Sequence, residues 1–209
     1  SETKDMTHNP RLYSDNDFII QSEFREVFDK SKLIADFSFN YNQDEKKTNT
    51  HTIIDLEGKF DENTSYFFEF QNTSNDNYLK IHDLQNLFET NELVSKINPS
   101  LLTSFFKLEK VLDDTSDLTT SFRMYEDTTT TITSDRYQYI FPDFTFNKYI
   151  ELDEDYHGDF YFGSSGYQKN YDTNIYEAQV NNNFDFRSFN FFTNTGLLSN
   201  YDLKLINFN

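Results

Sequence analysis

Alternation of aromatic and polar residues limits the possible folds of this chain more than any other feature of its sequence. It is plain in the stretch 135–146, where Tyr137, Tyr139 and Phe141 fall on one side of an extended backbone and the residues between them fall on the other. A period of two is typical of a β-strand whose two faces meet different surroundings. Because most of the chain repeats this pattern, the sequence predicts a protein built of two-faced strands.

The most regular alternation lies at 33–41. One side carries Leu33, Ala35, Phe37, Phe39 and Tyr41, and the other side carries Ile34, Asp36, Ser38 and Asn40. Strands of membrane barrels alternate in this way between lipid and lumen. We therefore expect the aromatic side to face lipid and the polar residues of the other side to face a lumen.

Composition excludes several classes of protein. Aromatic residues make up 18% of the 209 residues, with 24 Phe and 14 Tyr, whereas disordered acidic chains are poor in aromatics. A soluble α/β enzyme would be richer in aliphatic residues than a chain that is 36% hydrophobic. The net charge of −18 argues against nucleic acid as a partner, and the lack of cysteine excludes disulfides from this stretch.

Turn-forming residues divide the chain into roughly twelve strands. The fold class that this predicts is all-β, an antiparallel up-and-down meander that occupies 1–209 and forms part of an outer-membrane β-barrel. We expect short connections near 29–31, 61–65, 113–116, 151–155 and 181–183, and longer ones near 42–50, 72–99, 127–134, 166–173 and 193–200. Outer-membrane barrels have short periplasmic turns and longer outer loops. Since the chain ends in a strand-like pattern and shows no signal peptide, we also expect it to be a piece of a longer protein.

The long connection at 72–99 contains a helical spacing of apolar residues, formed by Leu84, Leu87 and Phe88. This predicts a short helix. Two placements are open for it, packing on the rim of the barrel or plugging the lumen.

Candidate catalytic and metal-binding residues are few. The histidines are scattered and are expected at the surface; they are His8, His51, His82 and His157. Asp113-Asp114 and the acidic run 151–159 have carboxylates suited to Ca²⁺, but the second departs from the calcium-loop pattern at His157 and Ser164. Solvated turns are the favoured interpretation of both. We expect no enzyme activity, cofactor or metal.

Several short motifs resemble the barrel domain of the LPS-assembly protein family LptD (organic solvent tolerance protein), and they occur in that family's order. The matching positions are Pro10, Arg11, Gln21, Glu23, Arg25, Asp76, Tyr78, Leu79, Arg136, Tyr137, Pro142, Tyr171, Asp172, Thr173 and Tyr176. Each motif alone is weak, whereas their shared order is moderately specific.

The resemblance implies a large antiparallel barrel in the outer membrane of a Gram-negative bacterium. Such a barrel receives lipopolysaccharide from periplasmic bridge proteins and delivers it to the outer leaflet, with an LptE-like lipoprotein in its lumen. Three other functions are open: a passive porin, an outer-membrane lipid-modifying enzyme, and a soluble extracellular β-protein. The enzyme would need a Ser/His/acid set, which the sequence alone does not assemble.

Overall fold

A computed structural model of the chain describes residues 3–13, 17–43, 46–82, 84, 98–132, 135–152, 157–171 and 175–209. The strands are β1 Lys4–Leu12, β2 Phe18–Val27, β3 Ser31–Asn42, β4 Lys47–Asp61, β5 Thr64–Thr73, β6 Leu101–Asp113, β7 Ser116–Asp127, β8 Tyr137–Glu151, β9 Gly158–Tyr171, β10 Ile175–Ser188, β11 Phe191–Phe192, β12 Leu198–Ser199 and β13 Asp202–Phe208. One short helix, α1, spans Tyr78–Ile81.

One large antiparallel sheet contains eleven of the strands in the order β1 to β10 and then β13, while β11 and β12 form a separate hairpin. From β1 to β10 each strand pairs with the next one along the chain, and β13 pairs with β10 past the separate hairpin, which confirms the all-β antiparallel meander. The sheet is open, since among the described residues β1 pairs only with β2 and β13 only with β10. In the same part of the chain, no helix has the length and apolar character needed to cross a membrane.

The two faces of the sheet differ in the way that the alternation predicts. Phe37 and Phe39 on β3 are 40% and 41% exposed, whereas Asp36, Ser38 and Asn40 are buried. We name the two sides the aromatic face and the polar face. This distribution is the reverse of a water-soluble protein, in which large apolar side chains are preferentially buried.

A β-bulge in β8 keeps the aromatic face continuous at the point where the aromatic residues of this strand change from odd to even positions. The register between β7 and β8 shifts between Ile140 and Asp143. The extra residue lies at Phe141-Pro142, so that Tyr139 and Phe144 fall on the same face although one is at an odd and the other at an even position. Proline suits this place because the bulge relieves it of a ladder hydrogen bond.

Two glycines of β9 make room for aromatic rings. A Cβ atom at Gly163 would lie 2.7 Å from the Tyr161 hydroxyl, and one at Gly166 would lie 2.9 Å from the Phe144 ring. β9 continues without interruption through these residues. The glycines serve close approach and not a turn.

The helix α1 lies on the polar face and supplies part of a small apolar core. That core consists of Ile19, Ile53, Tyr78, Leu79, Leu84 and Leu102. Of the predicted helix the structure describes only Leu84, which is buried in this core, so that helix stays a prediction. Leu87 and Phe88 lie outside the described residues.

Three predicted connections differ from the structure. The turn at 181–183 is wrong, because these asparagines pair with β9 on one side and with β13 on the other. The loop at 42–50 is wrong beyond 46, because β4 begins at Lys47, and the loop at 166–173 is wrong up to Tyr171, where β9 ends. In each case pairing with a neighbouring strand overrides local turn propensity.

Connection lengths alternate over most of the sheet. The connections at one end are 28–30, 62–63, 114–115, 152–157 and 189–201, and those at the other end are 13–17, 43–46, 74–100, 128–136 and 172–174. When the two series are compared in order, each of the first four connections of the first series is shorter than the matching connection of the second series. The fifth pair reverses the trend, since 189–201 carries the β11–β12 hairpin.

Candidate functional site

A buried network of polar side chains lies on the polar face beneath α1. His51 Nε2 lies 2.6 Å from Asp36 Oδ1, and His51 Nδ1 lies 2.6 Å from Ser38 Oγ. Ser38 Oγ also lies 2.8 Å from the Tyr78 hydroxyl, and Gln21 Nε2 donates to both carboxylate oxygens of Asp36. We name these five residues the helix-anchor network, because they join three strands to α1.

The network forms one directed chain of hydrogen bonds when His51 is neutral and carries its proton on Nε2. The Tyr78 hydroxyl then donates to Ser38, Ser38 donates to Nδ1 of His51, and Nε2–H donates to Asp36. Burial raises the pKa of Tyr78 to about 12. Tyr78 therefore remains a neutral donor at physiological pH.

The connectivity of Ser38, His51 and Asp36 is that of a nucleophile, a base and an orienting acid. Ser38 and His51 are 3% and 2% exposed, and the Tyr78 hydroxyl lies against Ser38 Oγ, the atom that would attack a substrate. In this arrangement the three residues hold α1 on the polar face.

Sequence reasoning missed this network because it placed the histidines at the surface. That prediction is wrong for His51, which is buried, whereas His8 and His157 are exposed. A signal was available, since Asp36 and Ser38 share one face of β3 and His51 lies directly opposite Ser38 in the next strand. The predicted loop at 42–50 ends just before His51, so it concealed the pairing of His51 with Ser38.

An ionic cluster holds the chain just before α1. Arg136 donates from Nη1 and Nη2 to the two carboxylate oxygens of Asp76, at 3.2 and 2.6 Å. It also donates from Nε and Nη2 to Glu126, whose side chain is 2% exposed. The Tyr137 hydroxyl donates to the same Glu126 oxygen. The hydrogen bonds with Glu126 raise the pKa of Arg136, so that its charge is permanent.

Many of the family-like positions meet around this loop. Gln21 and Tyr78 belong to the helix-anchor network, and Arg136 binds Asp76. Leu79 lies in the apolar core, and Arg11 donates to the backbone oxygen of His82 at 3.1 Å. Tyr137 joins the cluster through Glu126. These seven positions come from four separate motifs.

The other family-like positions lie elsewhere. Glu23 and Arg25 form an ion pair on β2, and Pro10 lies in the edge strand β1. Pro142 sits at the bulge of β8. Tyr171 and Tyr176 lie near the β9–β10 connection, at the ends of those strands. Asp172 and Thr173 fall outside the described residues.

The candidate calcium positions gain no support. Asp113 accepts hydrogen bonds from the backbone N–H and the hydroxyl of Thr115, as expected for a solvated turn. No group of three or more potential metal ligands occurs in the part of the chain that the structure describes. Residues 153–156 of the second candidate lie outside that part.

A cavity of about 670 Å³ lies on the polar face at the end of the sheet opposite α1. Tyr149 and Tyr161 stand opposite each other there on β8 and β9, and their ring centroids are 4.9 Å apart. The rest of the lining consists of the apolar residues Ile150, Phe160, Phe186 and Leu203 and of charged residues of both signs; the charged ones are Glu151, Asp159, Asp185, Arg187, Asp202 and Lys204.

Comparison of the chain with models of protein families and with curated proteins gives no match. The resemblance to the LPS-assembly family therefore depends on the motifs described above.

Proposed function

We propose that this chain forms part of the wall of an outer-membrane β-barrel that delivers lipopolysaccharide to the outer leaflet. The aromatic face would lie in the lipid and the polar face would line the lumen. The observation that carries the proposal is the exposure of Phe37 and Phe39 beside the burial of Asp36, Ser38 and Asn40.

The aromatic face suits hydrocarbon in a way that it does not suit water. Exposed rings continue across the sheet, for example Phe106 on β6, Phe122 on β7 and Phe184 on β10. Water penalises such a continuous apolar surface, whereas lipid does not. The open edges at β1 and β13 fit the same setting, because a wall in the membrane must continue until every backbone group is paired.

The helix-anchor network fits a lumen that is filled rather than empty. A passive pore needs an open passage, whereas α1 is fixed on the polar face by Tyr78 and by the ion pair of Arg136 with Asp76. Four of the residues that fix it also carry the family resemblance; they are Gln21, Asp76, Tyr78 and Arg136. This favours a lipopolysaccharide-delivering barrel, with an LptE-like lipoprotein and periplasmic bridge proteins as partners, over a porin.

Depletion of the protein in its native bacterium tests the proposal. Newly made lipopolysaccharide, followed by pulse labelling, should stop reaching the cell surface, as measured by accessibility to an antibody outside intact cells. Insertion of an unrelated outer-membrane barrel should continue in the first period of depletion and serves as the control.

Other outcomes would favour the alternatives. Normal display of lipopolysaccharide together with reduced uptake of small solutes would indicate a porin. Recovery of the protein in the soluble fraction after alkaline carbonate extraction would indicate a soluble extracellular β-protein.

A lipid-modifying enzyme is favoured by one observation, the connectivity of Ser38, His51 and Asp36. A fluorophosphonate probe tests it, because such probes label activated serines. We expect no labelling, since Tyr78 covers Ser38. Stoichiometric labelling that disappears in Ser38→Ala would establish the enzyme instead.

A further inference from the structure

We propose that the cavity at the ends of β8, β9, β10 and β13 is a carbohydrate-binding site. Its volume of about 670 Å³ lies within the range of about 300–1,000 Å³ that is typical of small-molecule sites. The inference rests on the proposed function for the source of the sugar. A lipopolysaccharide molecule that is delivered through the barrel would carry its sugars along the polar face. The existence of a sugar site depends only on the cavity and its lining.

A pair of tyrosines provides the surface on which a sugar ring would stack. The Tyr161 ring lies over Gly163, and its hydroxyl donates to Asn147 at 2.7 Å, so its position is fixed. Tyr149 packs against it and remains 59% exposed, so one ring is open to a ligand. The negative face of an aromatic ring attracts the C–H groups on one side of a pyranose.

Polar groups next to the tyrosines supply both acceptors and donors. Glu151 stands opposite Asp159 on the polar face. This pair is the next one after Tyr149 and Tyr161 on that face, towards the end of the sheet. On the other side, Arg187 pairs with Asp202 at 3.3 Å and Lys204 with Asp185 at 3.8 Å. Carboxylates accept hydrogen bonds from sugar hydroxyls, and the guanidinium and ammonium groups donate to them.

This lining selects a neutral, hydroxyl-rich ligand over the charged alternatives. Four carboxylates against two cationic side chains disfavour an anion. The described residues contain no group suited to a metal ion, which disfavours an inorganic cation. A sugar uses the tyrosines, the donors and the acceptors together, and the exposed ion pairs are weak enough to exchange for its hydroxyl groups.

Saturation-transfer NMR on the protein purified from cells tests the site, in an amine-oxide detergent that contains no sugar. Two soluble probes are used, a neutral oligosaccharide cut from lipopolysaccharide and freed of its phosphate groups and acidic sugars, and a short dextran. We expect saturation of the ring protons of the first probe. Tyr149→Ala should weaken its binding by about tenfold or more, whereas Tyr149→Phe, which keeps the ring, should bind as the wild type does.

The matched control is Tyr176→Ala, which removes an equally exposed tyrosine on the aromatic face of β10 and should leave binding unchanged. Binding of dextran alone would support the sugar site and count against lipopolysaccharide as its source. Failure of both probes, or undiminished binding by Tyr149→Ala with an unchanged circular dichroism spectrum, would overturn the inference. If the depletion experiment shows that the protein does not deliver lipopolysaccharide but the oligosaccharide still binds, only the proposed function is refuted and the sugar site stands.

Discussion

The Tyr78 hydroxyl lies 2.8 Å from Ser38 Oγ, and this contact joins α1 to the polar face of the sheet. Tyr78→Phe removes the donor and leaves the ring in place. We expect a loss of about 1 kcal/mol in the free energy of unfolding, the usual net contribution of one hydrogen bond. Amide hydrogen exchange at Leu79 and Ile81 should accelerate more than exchange in β4. Unchanged exchange in α1 would show that the contact does not fix the helix.

The same tyrosine makes the anchoring of α1 sensitive to alkaline pH. Burial raises the pKa of Tyr78 to about 12 from its ordinary value near 10, because the folded protein favours the neutral phenol. Its contribution to stability is therefore fully present below pH 10 and is lost as the pH rises towards 12. The free energy of unfolding measured across this window should therefore fall in the wild type. The fall should be smaller in Tyr78→Phe, and an equal fall in both proteins would assign it to another group.

Arg136 should contribute more to stability than other surface arginines. Arg136→Ala leaves Glu126 buried without its cation, and we expect a loss of about 3 kcal/mol. Arg123→Ala is the control, because the ion pair of Arg123 with Asp143 is exposed and should contribute less than about 1 kcal/mol. Urea unfolding of both variants in detergent measures the difference. Adding Glu126→Gln to Arg136→Ala should restore part of the loss, and equal losses for the two arginine variants would contradict this account.

The two ends of the strands should lie on opposite sides of the membrane. Lys46 and Asn63 flank β4 at its two ends. A membrane-impermeant thiol reagent applied to intact cells should modify a cysteine placed at Lys46 and spare one placed at Asn63. The second cysteine should react after the outer membrane is permeabilised. Labelling of both in intact cells would refute this topology.

The period of two was sufficient to predict the most regular strands and which of their residues share a face. At 33–41 every second residue is apolar, and the strands on either side share that pattern, so the register leaves Phe37 and Asp36 on opposite faces. The change of phase at Pro142 was not interpretable in the same way. A bulge is visible only once the partner strand fixes which residues stand opposite each other.

The helix-anchor network could not be predicted for a related reason. Ser38 meets His51 only because the β3–β4 connection is as short as 43–46, whereas polar composition predicted a longer loop. The asparagines at 181–183 gave the same error, since their turn propensity is overridden by partners on both sides. The contact between Arg136 and Asp76 joins residues far apart in sequence, and no local pattern encodes it.

The assignment of the two faces is the central claim, and two adjacent threonines of β7 test it directly. Thr119 stands between Glu109 and Thr145 on the polar face, whereas Thr120 stands between Leu108 and Phe144 on the aromatic face. The two positions share residue type and depth along the strand, so that only the face differs.

The measurement is the accessibility of a nitroxide spin label on a cysteine at each position, in protein reconstituted into native outer-membrane lipid. The label at Thr120 should be relaxed mainly by oxygen, which concentrates in lipid, and the label at Thr119 mainly by a water-soluble nickel complex. Equal relaxation at the two positions, or the reverse preference, would contradict the placement of the aromatic face in the membrane.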